Sequence, residues 1–164
     1  MKQFEHLKLH SGIMKALEEE KFIEPTDIQN KTIPLILEGK DVIARSATGS
    51  GKTLAFGAGF IDKMEKGKGV QALVLCPTRE LAEQVGKSLR RFAKHLDVRT
   101  TEVYGGVAIG PQIRELQRVE IVVGTPGRIL DHLRQRTLDL KSLKTLVLDE
   151  ADRMLDMGFI QDIQ

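Results

Sequence analysis

Short apolar runs alternate along the chain with longer stretches in which apolar residues recur at helical spacing. The apolar runs predict β-strands at residues 42–44, 72–75, 99–103, 121–123 and 145–148. The stretches between them predict helices at residues 52–64, 79–95, 111–117 and 127–134. Strands that are apolar throughout and are separated by helices are typical of a parallel sheet covered on both faces. We therefore predict an α/β fold with a mainly parallel sheet flanked by helices.

Two helical patterns come before this alternation. The first extends from Ser11, which we expect to cap it, to about Lys21. The second begins near Thr26, with Gln29 three residues later as in a capping box, and extends to Leu37. A Gly-Lys-Asp sequence at positions 39–41 then interrupts the helical pattern.

Composition and charge narrow the classes of protein to consider. A chain of 164 residues fits one domain, and its formal net charge of +2 neither indicates nor excludes binding to nucleic acid. Cys76 is the only cysteine and has no metal-ligand spacing with the four histidines, so a reducing cytosolic compartment is the simplest interpretation. No apolar run approaches the roughly 20 residues of a membrane-spanning helix, and the first residues lack the apolar stretch of a signal peptide. We expect a cytoplasmic protein without a membrane anchor.

A glycine-rich segment lies between the first predicted strand and the helix that follows, which is the context that a phosphate-binding loop requires. Its glycines allow backbone N–H groups and the helix N-terminus to surround phosphate oxygens. Lys52 would then reach the β- and γ-phosphates, and the Thr53 hydroxyl would hold Mg²⁺. The alternative is a glycine-rich turn with a solvated lysine. The segment consists of Ser46, Ala47, Thr48, Gly49, Ser50, Gly51, Lys52 and Thr53, with Ser46 where the strict pattern has its first glycine.

An acidic cluster, Asp149-Glu150-Ala151-Asp152, follows the last predicted strand. A carboxylate at the end of a buried strand, here Asp149, is placed to meet Mg²⁺ held by a phosphate loop. The neighbouring Glu150 would orient or deprotonate an attacking water. The alternative is an acidic first turn of a helix, which the helix dipole favours.

Together these motifs resemble the N-terminal half of a DEAD-box helicase core, and the similarity extends from Phe4 to Phe159. The segments that resemble family motifs lie at residues 47–53, 77–82, 105–106, 125–128, 149–152 and 153–159. The resemblance implies a RecA-like three-layer fold and an ATP-dependent RNA helicase that uses ATP and Mg²⁺. It also implies that Asp152 couples the acidic motif to a further motif.

The segment at residues 22–29 resembles the adenine-reading segment that distinguishes this family, and it implies nucleotide contacts from Phe22, Thr26 and Gln29. A side-chain amide can accept from the adenine amino group and donate to its ring nitrogen, while guanine presents the reverse pattern, so we expect Gln29 to select ATP. Phe4 would offer a flat apolar surface to the base. Lys21 departs from the glycine usual in the family. The alternative for Gln29 is a capping partner of Thr26.

The resemblance also implies an RNA-binding surface at strand ends and helix starts, where open parallel sheets bind ligands. Hydroxyls, backbone N–H groups and arginines there would hold the sugar–phosphate backbone without reading bases. The alternative is structural, with Thr78 and Thr125 as helix caps and the two glycines as a turn. The residues implied are Pro77, Thr78, Arg79, Gly105, Gly106, Thr125, Pro126 and Arg128.

Other noticeable residues are interpreted as structural. Packing explains Cys76, Phe92 and Tyr104 better than reactivity or base stacking does. A basic face on the predicted helix 79–95 lies away from the expected RNA edge, and we interpret it as solvated. It consists of Lys87, Arg90, Arg91 and Lys94.

The family pattern predicts the domain organisation. Residues 1–40 would form an adenine-recognition segment with helices, and residues 41–164 a RecA-like ATPase domain that is incomplete at its C-terminus. The second RecA-like domain would be absent, and we expect a monomer. Two alternative functions remain open: an ATP-gated RNA clamp that does not unwind processively, and a related DNA translocase.

Overall fold

The structure, a computed structural model, describes residues 2–47 and 49–164. Within them a 3₁₀ helix at Lys2–Leu7 precedes the regular elements. The α-helices are α1 Ser11–Glu19, α2 Asp27–Leu37, α3 Lys52–Ile61, α4 Arg79–Phe92, α5 Ile109–Leu116, α6 Pro126–Arg134, α7 Ala151–Asp156 and α8 Ile160–Ile163. The strands are β1 Ala72–Leu75, β2 Thr100–Val103, β3 Ile121–Gly124 and β4 Thr145–Leu148. No helix among these residues is long and apolar enough to cross a membrane.

The strands form one parallel sheet in the order β2-β3-β1-β4. Val74 in β1 lies opposite Val123 in β3 and Val147 in β4. The predicted parallel α/β sheet is therefore confirmed. Because all strands point the same way, the residues that follow them meet at one edge of the sheet, where ligands bind in open α/β folds.

The outer strand β4 differs from the prediction of a sheet covered on both faces. β1 and β3 are buried at every position, but Leu146 and Leu148 in β4 are 51% and 39% exposed. The coverage prediction is wrong at this strand. In the described part of the chain, β4 pairs only with β1, and an edge strand with one neighbour keeps a face in contact with solvent.

The prediction of a strand at residues 42–44 is also wrong. The segment has no regular secondary structure, and Ile43 is fully exposed. An extended segment is stabilised as a strand only when a neighbour satisfies its backbone groups, and the described residues offer it no strand partner.

Helix boundaries differ from the sequence predictions by a few residues. His10, and not Ser11, caps α1, because its Nδ1 accepts a hydrogen bond from the Gly12 N–H at 3.0 Å. The helix predicted at 52–64 ends at Ile61, and the one predicted at 79–95 ends at Phe92. The capping box of Thr26 and Gln29 at the start of α2 is confirmed.

The chain divides into two compact units, which are described separately. The first comprises residues up to Met64 together with Ser88–Asp97. In this unit α2 packs closely on α3: a Cβ added at Gly59 would lie 2.3 Å from the Ile36 Cγ2 atom. Only glycine permits that approach, which brings the last turn of α3 against the last turn of α2.

The basic face of α4 is engaged by α1 within the first unit. Lys94 pairs with both Glu19 and Glu20, and Arg91 pairs with Glu20. Hydrogen bonds from Lys94 and His95 lower the pKa of the exposed Glu19 carboxyl to about 2. Two of the four residues of this face, Arg91 and Lys94, are therefore paired with acidic residues, and the interpretation of a solvated face is corrected for these two.

The second unit comprises Glu65–Lys87 and Val98–Gln164 and contains the whole sheet. Its core packs the apolar side chains of β1, β2 and β3 against helices α5 to α7. The fully buried members include Val103, Val122 and Met154. Burial of such side chains is worth about 1.5–3 kcal/mol each, which makes this core a rigid support for the loops at the carboxyl edge.

Candidate functional site

The glycine-rich segment is a tight loop in front of α3. Gly49 and Gly51 have φ values of 82° and 85°, in the left-handed region that favours glycine. The hydroxyls of Ser46 and Ser50 lie 2.6 Å apart, so the loop is closed by its own side chains. Thr48, predicted to belong to this loop, lies outside the described residues.

The N-terminus of α3 suits a phosphate. Gly51 occupies the capping position and supplies no side-chain acceptor to the first N–H groups of the helix. Lys52 and Thr53 are the first two helical residues and are both half-buried. Free N–H groups at the positive end of a helix dipole, next to left-handed glycines, bind anionic oxygens. The residues present therefore fit the phosphates of a nucleotide.

Gln29 joins the capping box to this loop. Its Oε1 accepts from the Thr26 N–H at 2.9 Å, and its Nε2 donates to the Gly51 carbonyl at 3.1 Å. A Cβ at Gly51 would lie 2.3 Å from that Nε2 atom, so the contact requires glycine. The capping alternative is thus confirmed. An amide carries two protons on nitrogen and two lone pairs on oxygen, so one of each remains for a ligand.

Three residues predicted to contact the nucleotide, Phe4, Phe22 and Gln29, are buried or half-buried. Phe4, in the 3₁₀ helix, is fully buried. Phe22 is half-buried and meets Phe92 edge to face, with ring centroids 5.8 Å apart. Gln29 itself is only 1% exposed. A base reaches these groups only if the 3₁₀ helix or its neighbours shift, so their adenine contacts stay predictions.

The acidic cluster continues from β4 into α7. The Asp149 N–H donates to the Leu75 carbonyl at 2.9 Å, which extends the β1–β4 ladder to the start of the motif. Glu150 has φ 52° and ψ 51°, a left-handed conformation that is uncommon for a residue with a side chain. Such conformations concentrate at functional sites. Glu150 also pairs with Arg153 at 3.3 Å, and Asp152 is exposed in the first turn of α7.

Cys76 follows β1 and is buried beside this cluster. Burial raises the pKa of its thiol strongly, and the charges of Asp149 and Glu150 raise it further. A thiol held in its neutral form is a poor nucleophile, so the interpretation of Cys76 as a packing residue agrees with its environment.

No group of three or more His, Cys, Asp or Glu side chains in residues 2–47 and 49–164 is arranged to hold a metal ion. Magnesium usually takes one or two carboxylates together with substrate phosphates and water, so a preformed protein cage is not required. Thr53, in the first unit, and Asp149, in the second, each carry an oxygen of a type that magnesium binds.

The motif after β1 begins with a capped helix. The Thr78 Oγ1 accepts from the Leu81 N–H at 3.2 Å, which confirms the capping alternative for Thr78. The Arg79 guanidinium lies 4.5 Å from the centroid of the Tyr104 ring, and the Tyr104 hydroxyl donates to Glu83 at 2.7 Å. Pro77 is buried and Arg79 is exposed, so this motif offers its arginine to solvent at the carboxyl edge.

The other two motifs predicted to face RNA follow β2 and β3. Gly105 and Gly106 are exposed, and Gly106 is left-handed with φ 82°. Thr125 precedes α6, with Pro126 in the first turn, but its side chain makes no capping hydrogen bond. The capping alternative for the Thr125 side chain is therefore wrong, and its half-buried hydroxyl is not used by the helix.

Arg128 links these two motifs. Its side chain is 14% exposed, and Nη1 donates to the Val107 carbonyl at 3.1 Å and to Gln112 Oε1 at 3.2 Å. Gln112 also contacts the buried His132. Sequence reasoning missed Gln112 and His132. The available signal was a polar residue within the apolar stripe of each amphipathic helix.

A parallel α/β sheet with a glycine-rich loop in front of a helix, and with polar motifs along its carboxyl edge, defines a RecA-like domain. The chain belongs to the DEAD/DEAH box helicase family, whose family model matches residues 26–164.

Relatives and solved structures agree with this assignment. The chain is 53% identical over its full length to the ATP-dependent RNA helicase CshA of Listeria monocytogenes, of which it covers 32%. It is similar to the crystal structure of a DEAD box protein from Methanococcus jannaschii, with a TM-score of 0.95 and 46% identity over 98% of this chain and 45% of that one. A hypothetical ATP-dependent RNA helicase from Sulfolobus tokodaii gives a TM-score of 0.88 and 42% identity over 94% of this chain and 45% of that one. The chain thus spans about a third of the length of the first curated relatives.

Proposed function

We propose that this chain is the first ATP-binding domain of an RNA helicase, which couples ATP binding and hydrolysis to local separation of RNA duplexes. The loop in front of α3, with its left-handed glycines and uncapped helix N-terminus, carries this proposal. The curated relative named above is an ATP-dependent RNA helicase, which supports the choice of RNA. Separation of an RNA duplex by the complete protein is the experiment that tests it.

The phosphate loop has a binding role in this proposal. The backbone N–H groups at residues 49–53 and the Lys52 ammonium hold the phosphates, and the Thr53 hydroxyl and the Asp149 carboxylate are the candidate ligands of Mg²⁺. Bound magnesium would neutralise charge on the phosphate oxygens. Ser46 and Ser50 keep the loop closed through their 2.6 Å contact.

The acidic motif has a catalytic role. Glu150, held by its left-handed backbone, would act as the general base that orients and deprotonates water. Asp152 is exposed and pairs with no other side chain in the described part of the chain, which suits a residue that couples to a further motif.

RNA would bind along the carboxyl edge of the sheet through its backbone. The surface combines the arginines Arg79 and Arg128, the hydroxyl of Thr125 and the exposed glycine pair after β2. Groups of this kind grip phosphates without reading bases, so we expect little sequence preference. An ATP-gated clamp uses the same surface but would hold RNA without separating strands.

The first prediction concerns nucleotide choice. The complete protein should bind ATP more tightly than GTP, because the free proton and lone pair of the Gln29 amide match adenine and not guanine. Gln29→Ala should abolish or strongly weaken ATP-dependent activity. Titration with fluorescent ATP and GTP analogues measures the preference.

Gln29→Glu is a second variant: glutamate keeps the capping acceptor for the Thr26 N–H but lacks the amide protons that serve the Gly51 carbonyl and a base. It should retain the helix α2 and lose the preference for ATP. Equal affinity of the unmodified protein for ATP and GTP would remove the basis for this role.

A further inference from the structure

Two buried polar side chains in the second unit, outside every motif discussed so far, contact each other. Gln112 lies on α5 and His132 on α6, and His132 is completely buried. The Gln112 Oε1 and His132 Nε2 atoms are 3.0 Å apart. Buried polar groups are costly unless they are fully hydrogen-bonded, so a pair of this kind needs a physical reason.

The neighbours determine the orientation of each group. The Gln112 Nε2 lies 2.9 Å from the Tyr104 carbonyl, which can only accept, while Oε1 faces Arg128 Nη1, which can only donate. Since Oε1 must accept, the His132 Nε2 must carry a proton and donate to it. The other ring nitrogen, Nδ1, then meets the Thr137 hydroxyl at 2.8 Å. Burial, and to a lesser extent the charge of Arg128, lowers the pKa of His132 and favours its neutral form.

Hydrogen bonds from Gln112 and from its partner Arg128 bracket the exposed glycine loop. Gln112 binds the carbonyl of Tyr104, directly before Gly105, and Arg128 binds the carbonyl of Val107, directly after Gly106. The glycines themselves have no atom within 4 Å of an ideal Cβ position. The two carbonyl contacts hold the ends of the loop, and no other part of the described chain packs where a glycine side chain would lie.

The same contacts orient Arg128. Its Nη1 is held by Val107 and Gln112, and its Nε lies 3.6 Å from Asp131. Nη2 has no partner in residues 2–47 and 49–164. A guanidinium held through Nη1 and Nε presents Nη2 in a constant direction, which reduces the entropy lost when a phosphate binds.

We propose that Gln112, supported by His132, is a positioning residue that holds Arg128 and the Gly105–Gly106 loop in a single geometry for an RNA phosphate. This inference rests on the proposed RNA-binding function, and it adds two residues that do not themselves touch RNA. Gln112 acts through its carbonyl oxygen on Arg128 and through its amide nitrogen on the loop. His132 acts one step further away, by donating to the same oxygen.

The opposing explanation is that the pair only stabilises the packing of α5 on α6. Gln71 provides a matched control, because it is another buried glutamine of the same unit with three hydrogen bonds. Its Oε1 accepts from the Glu65 N–H, and its Nε2 donates to the carbonyls of Glu65 and Gly69. These contacts lie before β1, at the opposite end of that strand from the carboxyl edge.

The test compares Gln112→Leu with Gln71→Leu in the complete protein. ATP hydrolysis is measured against the concentration of a single-stranded RNA, and thermal unfolding is measured beside it. Gln112→Leu should raise the RNA concentration for half-maximal stimulation about tenfold, the scale of one hydrogen bond to a charged group. Its maximal rate and its KM for ATP should stay near those of the unmodified protein. Gln71→Leu should lower the unfolding temperature to a similar extent and leave the RNA dependence unchanged.

A double-mutant comparison shows whether Gln112 acts through Arg128. Gln112→Leu should have a clearly smaller effect on RNA affinity in an Arg128→Ala background than alone, because the group it positions is gone. If Arg128→Ala weakens RNA binding and Gln112→Leu does not, the positioning role is overturned and the proposed function stands. The positioning role is also overturned if Gln71→Leu raises the RNA concentration for half-maximal stimulation as much as Gln112→Leu does, since general destabilisation would then explain both variants. If RNA does not stimulate ATP hydrolysis by the unmodified protein, the proposed function is contradicted, and the positioning role is contradicted with it.

Discussion

Glu150→Gln should slow ATP hydrolysis by about a hundredfold or more while leaving the affinity for ATP and Mg²⁺ nearly unchanged, the usual scale when a general base is removed. Glutamine has nearly the same shape as glutamate but cannot take a proton from water. Glu150 has a left-handed backbone at the start of α7, which sets the direction in which its side chain leaves the chain. Single-turnover hydrolysis and equilibrium binding of an ATP analogue in the complete protein separate the two quantities.

Two further variants make this result specific. Arg153→Ala removes the 3.3 Å ion pair with Glu150 but keeps the carboxylate, and the rate should stay close to normal because exposed pairs contribute little. Lys52→Ala should instead weaken ATP binding itself, because it removes a charge from the phosphates. Normal turnover by the Glu150→Gln protein would assign water activation to another residue.

Residues 1–164 on their own should show no RNA-stimulated ATP turnover, even with both motifs intact. Transfer of a phosphoryl group requires positive charge at the γ-phosphate, and an arginine that supplies it contributes about 10³–10⁵ in rate. We propose that this arginine lies in a second domain, since the curated relatives are about three times as long as this chain. Steady-state ATPase assays compare the turnover rates of residues 1–164 and of the complete protein, with and without RNA.

The edge strand β4 should also limit the stability of residues 1–164. In the described part of the chain β4 has only β1 as a neighbour, and Leu146 and Leu148 are exposed on it. An unpaired edge next to Asp149 leaves backbone groups and apolar surface in water. A chain extended beyond Gln164 by a further strand should therefore unfold at a higher temperature. If the turnover rate of residues 1–164 lies within tenfold of the rate of the complete protein, the need for a second domain is contradicted.

Much of the fold could be predicted from the sequence, because its hydrophobic periodicity is strong. The runs at 72–75 and 145–148 form paired parallel strands with the predicted limits. The same reasoning failed at residues 42–44. A short apolar run predicts a strand only if a partner strand exists, and pairing is not a property of the run itself.

The candidate site could be predicted only where the residue type determines the backbone conformation. Glycines at 49 and 51 indicate a left-handed loop before a helix, and the structure has that loop. The left-handed conformation of Glu150 could not be predicted, because glutamate has no local preference for it. Gln112 and His132 were missed because the contact between them depends on two helices meeting, although each interrupts the apolar stripe of its own helix.

Separation of a short RNA duplex by the complete protein tests the central claim most directly. Strand separation should require ATP, should be lost with Lys52→Ala, and should not occur with a DNA duplex of the same sequence. These outcomes follow if the loop before α3 binds ATP and the carboxyl edge of the sheet grips the RNA backbone. RNA held tightly in the presence of ATP, with the duplex left intact, would contradict the helicase and favour the clamp. Equal separation of the DNA duplex would favour a DNA translocase.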